Sequence, residues 1–225
     1  INANAVVKLP ENISDKVAAA LMLKGLTAQY LVRQIYKVGP SDTILIHAAA
    51  GGVGLIVCQW AKKLGATVIG TVGSEEKAVL ARDNGCDYPI IYTKDPFVDK
   101  VLEITDGKKL PVVYDSVGKD TFEQSLDCLQ PLGKMVSFGQ SSGSIPPVDL
   151  GVFAQKGSLS FTRPTLFHFA SNKQDLDAMA QDLFNVVVNG DVTIRIDQEF
   201  SLKDARAAHE KLEARDTTAS TILLP

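Results

Sequence analysis

The chain has 225 residues, is 45% hydrophobic and 22% charged, and carries a formal net charge of −3. This is ample material for a globular core, and the weak negative charge gives no support to nonspecific nucleic-acid binding, which leans on a basic field. No run reaches the roughly 18 apolar residues of a membrane-spanning helix, no secretory leader is visible, and three scattered cysteines, Cys58, Cys86 and Cys128, make no disulfide framework, so a reducing, cytoplasmic setting is expected.

The opening Ile-Asn-Ala-Asn, without an initiator Met, reads as the start of a fragment or a processed product. Residues 13–37 predict one helix, with Ser14 as its cap, Gly25 inside it and Gly39-Pro40 ending it. An apolar β-branched run then predicts a strand over Thr43–His47. It drives into Ala48-Ala-Ala-Gly-Gly-Val-Gly54, and a helix over Gly52–Leu64 follows at once, with Val53, Val57, Trp60 and Leu64 as an inward stripe and Gly65 as a stop. Further strands are expected at Thr67–Val72, Tyr88–Tyr92, Val112–Tyr114 and Lys134–Phe138, separated by helices at Glu75–Asn84, Phe97–Thr105 and Thr121–Leu129. Strict β-α-β-α alternation implies a parallel sheet covered on both faces, hence a doubly wound, Rossmann-type α/β fold.

Beyond it, residues 139–151 predict a Gly-, Ser- and Pro-rich loop, and Ser158–Thr162 a strand at the sheet edge. Asp175–Asn189 reads as an amphipathic helix, Phe200–Glu213 holds another entered through Ser201, and Ser220–Leu224 looks like a final strand.

The glycine turn carries the chemistry. A strand, a tight turn and a helix N-terminus in succession present free N–H groups, and a pyrophosphate is the usual guest. Gly51 allows close approach of the ligand and Gly54 allows the helix to pack on the strand, while Ala49 replaces the first glycine, leaving A-x-G-x-x-G. The second strand ends Gly70-Thr-Val-Gly-Ser74 without the carboxylate that usually holds the ribose hydroxyls of NAD, and Lys77 follows, which favours NADPH over NADH; Glu75 and Glu76 weigh on the other side, and a solvated helix lysine is the competing role for Lys77. His47 reads as a packed strand residue. Asp115, ending a strand, is a candidate to support the ligand cleft, with turn capping the competing role. No Cys/His spacing suggests a zinc site.

Several of these segments together resemble the NADPH:quinone oxidoreductases, the zeta-crystallin-like branch of the medium-chain dehydrogenase/reductase superfamily. They are Leu21-Met-Leu-Lys-Gly-Leu-Thr-Ala28, the Ala48–Gly54 turn, Cys58-Gln-Trp-Ala-Lys62, Val113-Tyr-Asp-Ser-Val-Gly118, Ser125-Leu-Asp-Cys-Leu129, Val136-Ser-Phe-Gly139 and Gly157-Ser-Leu-Ser-Phe-Thr-Arg-Pro164. The resemblance implies a zinc-free enzyme passing a hydride from NADPH to a quinone or conjugated carbonyl. A reductase of enone or alkenal C=C bonds and a non-catalytic NADPH-binding fragment are the alternatives.

By the same resemblance Ala50, Gly51, Gly52 and Val53 lie under the pyrophosphate. Gly73, Lys77, Tyr92 and Arg215 surround the adenosine 2′-phosphate. Phe138, Gly139, Gln140 and Ser141 lie beside the nicotinamide, Phe161, Thr162 and Arg163 line its far side, and Thr27 borders the cofactor cleft. No catalytic residue is assigned.

The resemblance also implies that most of an N-terminal, GroES-like catalytic domain is missing. Residues 1–24 would be its end and a linker helix, 25–164 the dinucleotide-binding domain, and 165–225 a return segment of the catalytic domain whose apolar faces would be left uncovered or docked in an unusual way. A homodimer through the edge strand near 158–162 is expected.

Overall fold

A computed structural model describes residues 2–214 and 217–225. In chain order the elements are α1 (Asp15–Tyr30), β1 (Thr43–Ile46), α2 (Gly52–Lys63), β2 (Thr67–Val72), α3 (Glu75–Asp83), β3 (Tyr88–Ile91), α4 (Phe97–Ile104), β4 (Leu110–Asp115), α5 (Phe122–Asp127) and β5 (Leu129–Ser137). They continue with α6 (Gly151–Gln155), β6 (Ser160–Thr162), α7 (Leu166–Phe169), α8 (Lys173–Val188), β7 (Ile196–Ser201), α9 (Ala205–Glu213) and β8 (Ser220–Leu224).

The first six strands form one sheet in the order β3-β2-β1-β4-β5-β6, every pair parallel. Period-2 alternation within each strand supplies two cores at once. Ile44, Ile46, Val68, Val112, Tyr114 and Val136 face the layer that includes α1, α2 and α8. Leu45, Ile69, Val113 and Met135 face the opposite layer, where Phe97 and Val101 of α4 and Phe122 and Leu126 of α5 pack. This is the expected doubly wound architecture, and the strand order reverses between β1 and β4.

Ser14 caps α1 as expected, its hydroxyl accepting from the Val17 N–H at 3.4 Å. The helix ends in a single π turn over Leu31–Ile35 rather than continuing to residue 37. It also runs unbroken across the expected boundary between residues 24 and 25.

The C-terminal third decides between the two expectations for its apolar faces, at least for α8. Leu176, Met179, Ala180, Leu183 and Phe184 sit at i, i+3, i+4, i+7 and i+8 on α8, all are buried, and they join the core that contains Leu21, Leu26 and Tyr30 of α1. Phe169 of α7 stacks on Tyr30 with ring centroids 4.6 Å apart. The apolar face of α8 is therefore covered within the chain.

Two further corrections have a common cause in long-range pairing. The helix expected over Thr121–Leu129 stops at Asp127 because Leu129 pairs with Leu110 and starts β5 early, ahead of a register shift between Leu110 and Val112. Ile196–Ser201 forms a strand rather than a helix approach, because it pairs in parallel with β8 as a separate two-stranded sheet. No residue of β7 is fully buried, so no periodic signal announces it.

Candidate functional site

The site grows from the C-terminal end of β1. The His47 N–H donates to Tyr114 O at 2.9 Å and the Ala49 N–H to Thr71 O at 3.0 Å, so the turn is bonded to the ends of both neighbouring strands. Ala48 has φ +55°, and its carbonyl accepts from the Gly51 N–H at 2.9 Å. Gly51 then caps α2, and no side chain caps that helix start. Amides of its first turn are thus left for a ligand, as anion sites at helix starts require.

The agreement with the ordinary glycine fingerprint at Gly54 and the departure from it at Ala49 both have steric explanations. A Cβ on Gly54 would lie 2.4 Å from Ala48 O and 2.6 Å from Ala49 O, so a side chain there collides with the turn itself. Ala49, standing where the fingerprint has its first glycine, is fully buried, and its methyl lies 2.5 Å from where a Cβ on Gly70 would sit. The methyl is accommodated because β2 carries glycine opposite it.

A cleft of ≈ 480 Å³ opens over this turn. Of the residues singled out from the sequence, Ala50, Gly51, Gly73, Lys77, Tyr92 and Ser141 line it. A second hollow of ≈ 400 Å³ gathers Gly139, Gln140, Phe161 and Arg163 against Phe122 and Phe153. In it the Arg163 guanidinium is held by backbone, donating to Ser137 O at 3.1 Å. The candidate residues thus fall into two groups rather than one continuous lining.

Thr27, Gly52, Val53, Phe138 and Thr162 line neither hollow. Thr27 spends its hydroxyl on Leu23 O at 2.8 Å, and Val53 and Phe138 pack against the core on the α1 side of the sheet. Thr162 pairs with Val136 in the sheet. Arg215 lies outside the described residues.

Sequence reasoning passed over Asp120, Thr121, Gln124, Phe97, Leu212 and Thr217, which are also among the residues lining the cleft. Leu212 and Thr217 arrive only because the C-terminal segment crosses back, with Gly51 and Ala219 forming a parallel bridge. Thr121 had a signal nearby, the carboxylate of Asp115. That carboxylate accepts from the Val117 N–H at 2.6 Å, the Gly118 N–H at 3.1 Å and the Thr121 hydroxyl at 2.8 Å, so Asp115 is a turn-organising residue directly behind the cleft wall.

His47 lies at the cleft floor, nearly fully buried as expected for a packed residue. Its Nδ1 is 2.9 Å from Thr71 Oγ1 and its Nε2 2.9 Å from Ser125 Oγ. Ser125 donates its own proton to Thr121 O at 2.7 Å, so it accepts from Nε2–H, while the Thr71 hydroxyl meets Nδ1. It is burial that disfavours the charged ring and favours the neutral one. Burial lowers its pKa below the ordinary 6.5, with the Asp115 charge opposing the shift.

The sign of the pH effect follows. Below 6.5 the unfolded histidine binds a proton that the folded one still refuses, so stability is complete above that pH and declines as pH falls beneath it. We expect His47→Gln to flatten a slope of up to about 1.4 kcal/mol per pH unit, read from urea midpoints across that window. Equal pH profiles for both proteins contradict the neutral assignment.

The cleft lies where the strand order reverses and rests on the uncapped start of α2, which is the ligand crevice of doubly wound dinucleotide-binding folds. The family profile described as zinc-binding dehydrogenase matches residues 52–185. The quinone oxidoreductase of Pseudomonas aeruginosa is 56% identical over 220 residues, covering 98% of this chain and 68% of that protein. A 2-haloacrylate reductase from Burkholderia sp is 48% identical, covering 99% of this chain and 68% of its own. The crystal structure of Escherichia coli quinone oxidoreductase complexed with NADPH superposes with a TM-score of 0.95 at 50% identity, over 97% of this chain and 68% of that one. The chain belongs to the zinc-binding dehydrogenase family, in its quinone oxidoreductase branch. Among the described residues no group of three or more His, Cys, Asp or Glu side chains could hold a metal ion, and no helix is long and apolar enough to cross a membrane.

Proposed function

We propose that the protein is an NADPH-dependent oxidoreductase acting on quinones. The observation that carries this reading is the cleft itself: a crevice on the glycine turn whose lining includes the cation of Lys77 and the phenol of Tyr92, with Asp120 the one carboxylate among its described lining residues. The two acids that weighed against NADPH are engaged elsewhere. Glu75 pairs with Lys94 at 2.5 Å. The Glu76 carboxyl is held below its usual range by its own backbone N–H at the start of α3 and by Ser74.

In this reading Ala50 and Gly51 border the diphosphate, Gly73, Lys77 and Tyr92 receive the adenosine 2′-phosphate, and Ser141 lies toward the nicotinamide. Gly139, Gln140, Phe161 and Arg163 belong to the acceptor end. When bound, the reduced nicotinamide supplies the hydride; this chain's part is to bind, orient and exclude water. The quinone oxidoreductases among its relatives, one of them solved with NADPH, support the assignment. Reduction of a conjugated C=C bond is the second reading, favoured by the relative named for 2-haloacrylate. Product analysis with a quinone and a haloacrylate side by side separates the two.

The cofactor assignment has a direct test. NADPH is expected to bind more tightly than NADH, and Lys77→Ala to weaken NADPH roughly ten- to hundredfold while leaving NADH nearly unchanged, as loss of a charge-assisted hydrogen bond implies. Equal affinities that the substitution does not alter remove the phosphate assignment. The open edge of β6, bonded to β5 alone, supports the expected homodimer, which sedimentation tests. Three buried free thiols accord with a reducing cytoplasm.

A further inference from the structure

Lys24 lies on α1, outside both hollows, yet it touches the glycine turn from behind. Its side-chain carbons and Nζ lie 2.6–2.8 Å from where a Cβ on Gly52 would sit, so the lysine stem occupies the groove that this glycine leaves open. Beyond Gly52 the Nζ donates to Ser220 Oγ at 2.9 Å and to Ala219 O at 3.4 Å. Ala219 in turn bridges to Gly51, its N–H reaching Ala50 O at 3.4 Å. Ala219 holds a left-handed φ of +51°, a conformation that a non-glycine residue keeps only when its surroundings enforce it. Among the described residues Lys24 has no carboxylate partner; its bonds to the last strand are what it has in exchange for partial burial.

We propose that Lys24 is a positioning residue for the cofactor cleft: reaching over Gly52, it fastens the C-terminal segment at Ala219 and Ser220 across the glycine turn and so keeps Leu212 and Thr217 in the cleft wall. The proposal rests on the dinucleotide reading of the cleft. Burial lowers the lysine's pKa from its ordinary value, as expected for an ammonium spent on neutral acceptors. The energetic consequence separates positioning from plain structural support. Removing a partly buried cation need not harm the fold, and an apolar replacement of similar length can even stabilise it. The fastening of the last strand is what disappears.

The test is Lys24→Met, with Lys24→Arg as the conservative variant, in two measurements. In the cofactor-free protein, Lys24→Met is expected to accelerate amide exchange in a peptide covering residues 217–224 by roughly tenfold or more, without lowering the thermal midpoint, and Lys24→Arg to restore most of the protection. In NADPH titration, Lys24→Met is expected to raise Kd by roughly tenfold, with KM for NADPH rising alongside and kcat changing far less. Ser220→Ala should give a smaller effect in the same direction and add little on top of Lys24→Met, since both remove one interaction. Unchanged exchange at 217–224, or a folded Lys24→Met protein with wild-type Kd, overturns the proposal. Failure of the wild-type protein to bind NADPH would instead remove the cofactor reading, and the exchange measurement would still decide whether Lys24 holds the strand.

Discussion

Gly54→Val is expected to destabilise the protein by at least about 3 kcal/mol and to abolish measurable NADPH binding. The reason is the identity of the atoms that a new side chain would meet. The first carbon alone would lie 2.4 Å from Ala48 O, 2.6 Å from Ala49 O and 2.8 Å from Ala49 C, all backbone atoms of the turn. No rotamer change relieves a clash with backbone. Either α2 moves away from β1, breaking the packing of Val57 and Trp60, or the turn opens and carries Gly51 with it. Both movements remove the crevice. Urea unfolding followed by cofactor titration checks the two halves separately. A variant with the wild-type urea midpoint would mean that the helix start is far softer than its contacts imply.

Asp115→Ala carries the second large effect. The carboxylate is fully buried at the end of β4 and satisfies two backbone N–H groups and the Thr121 hydroxyl. Alanine leaves the Val117 and Gly118 N–H groups without their acceptor and the Thr121 hydroxyl with only its longer bond to Gly118 O at 3.3 Å. Each orphaned group costs roughly 1–3 kcal/mol, not additively, so a total loss of about 4 kcal/mol is expected, against about 1 kcal/mol for Asp115→Asn, which keeps one acceptor oxygen. Because Val117 and Thr121 stand in the cleft wall, cofactor affinity should fall with stability. Equal urea midpoints for the alanine and asparagine variants would show that the carboxylate does not organise this turn.

The sheet was legible because each strand announces itself locally. Thr43–Ile46 and Thr67–Val72 are β-branched runs that end at glycine turns, and α2 and α8 carry apolar residues at helical spacing. Ser14 was legible as a cap for the same reason. What escaped depends on partners far away in the chain. β7 exists through β8, and the early start of β5 through Leu110. In the site, the glycine turn and the cation at Lys77 could be read from spacing. The division of the candidates between two hollows could not be, since it depends on which face of the sheet each loop turns toward. Nor could the bonds from Lys24 to Ser220 or from Asp115 to Thr121, which no periodicity encodes.

Ala49 lies in the turn after β1 and Gly70 in β2, but one methyl group fills a space that either residue could claim. A pattern scan demanding glycine at the first position of the turn therefore rejects chains such as this one for the wrong reason. The two positions share one volume, so the side chain that fits at either is set by its neighbour twenty-one positions away.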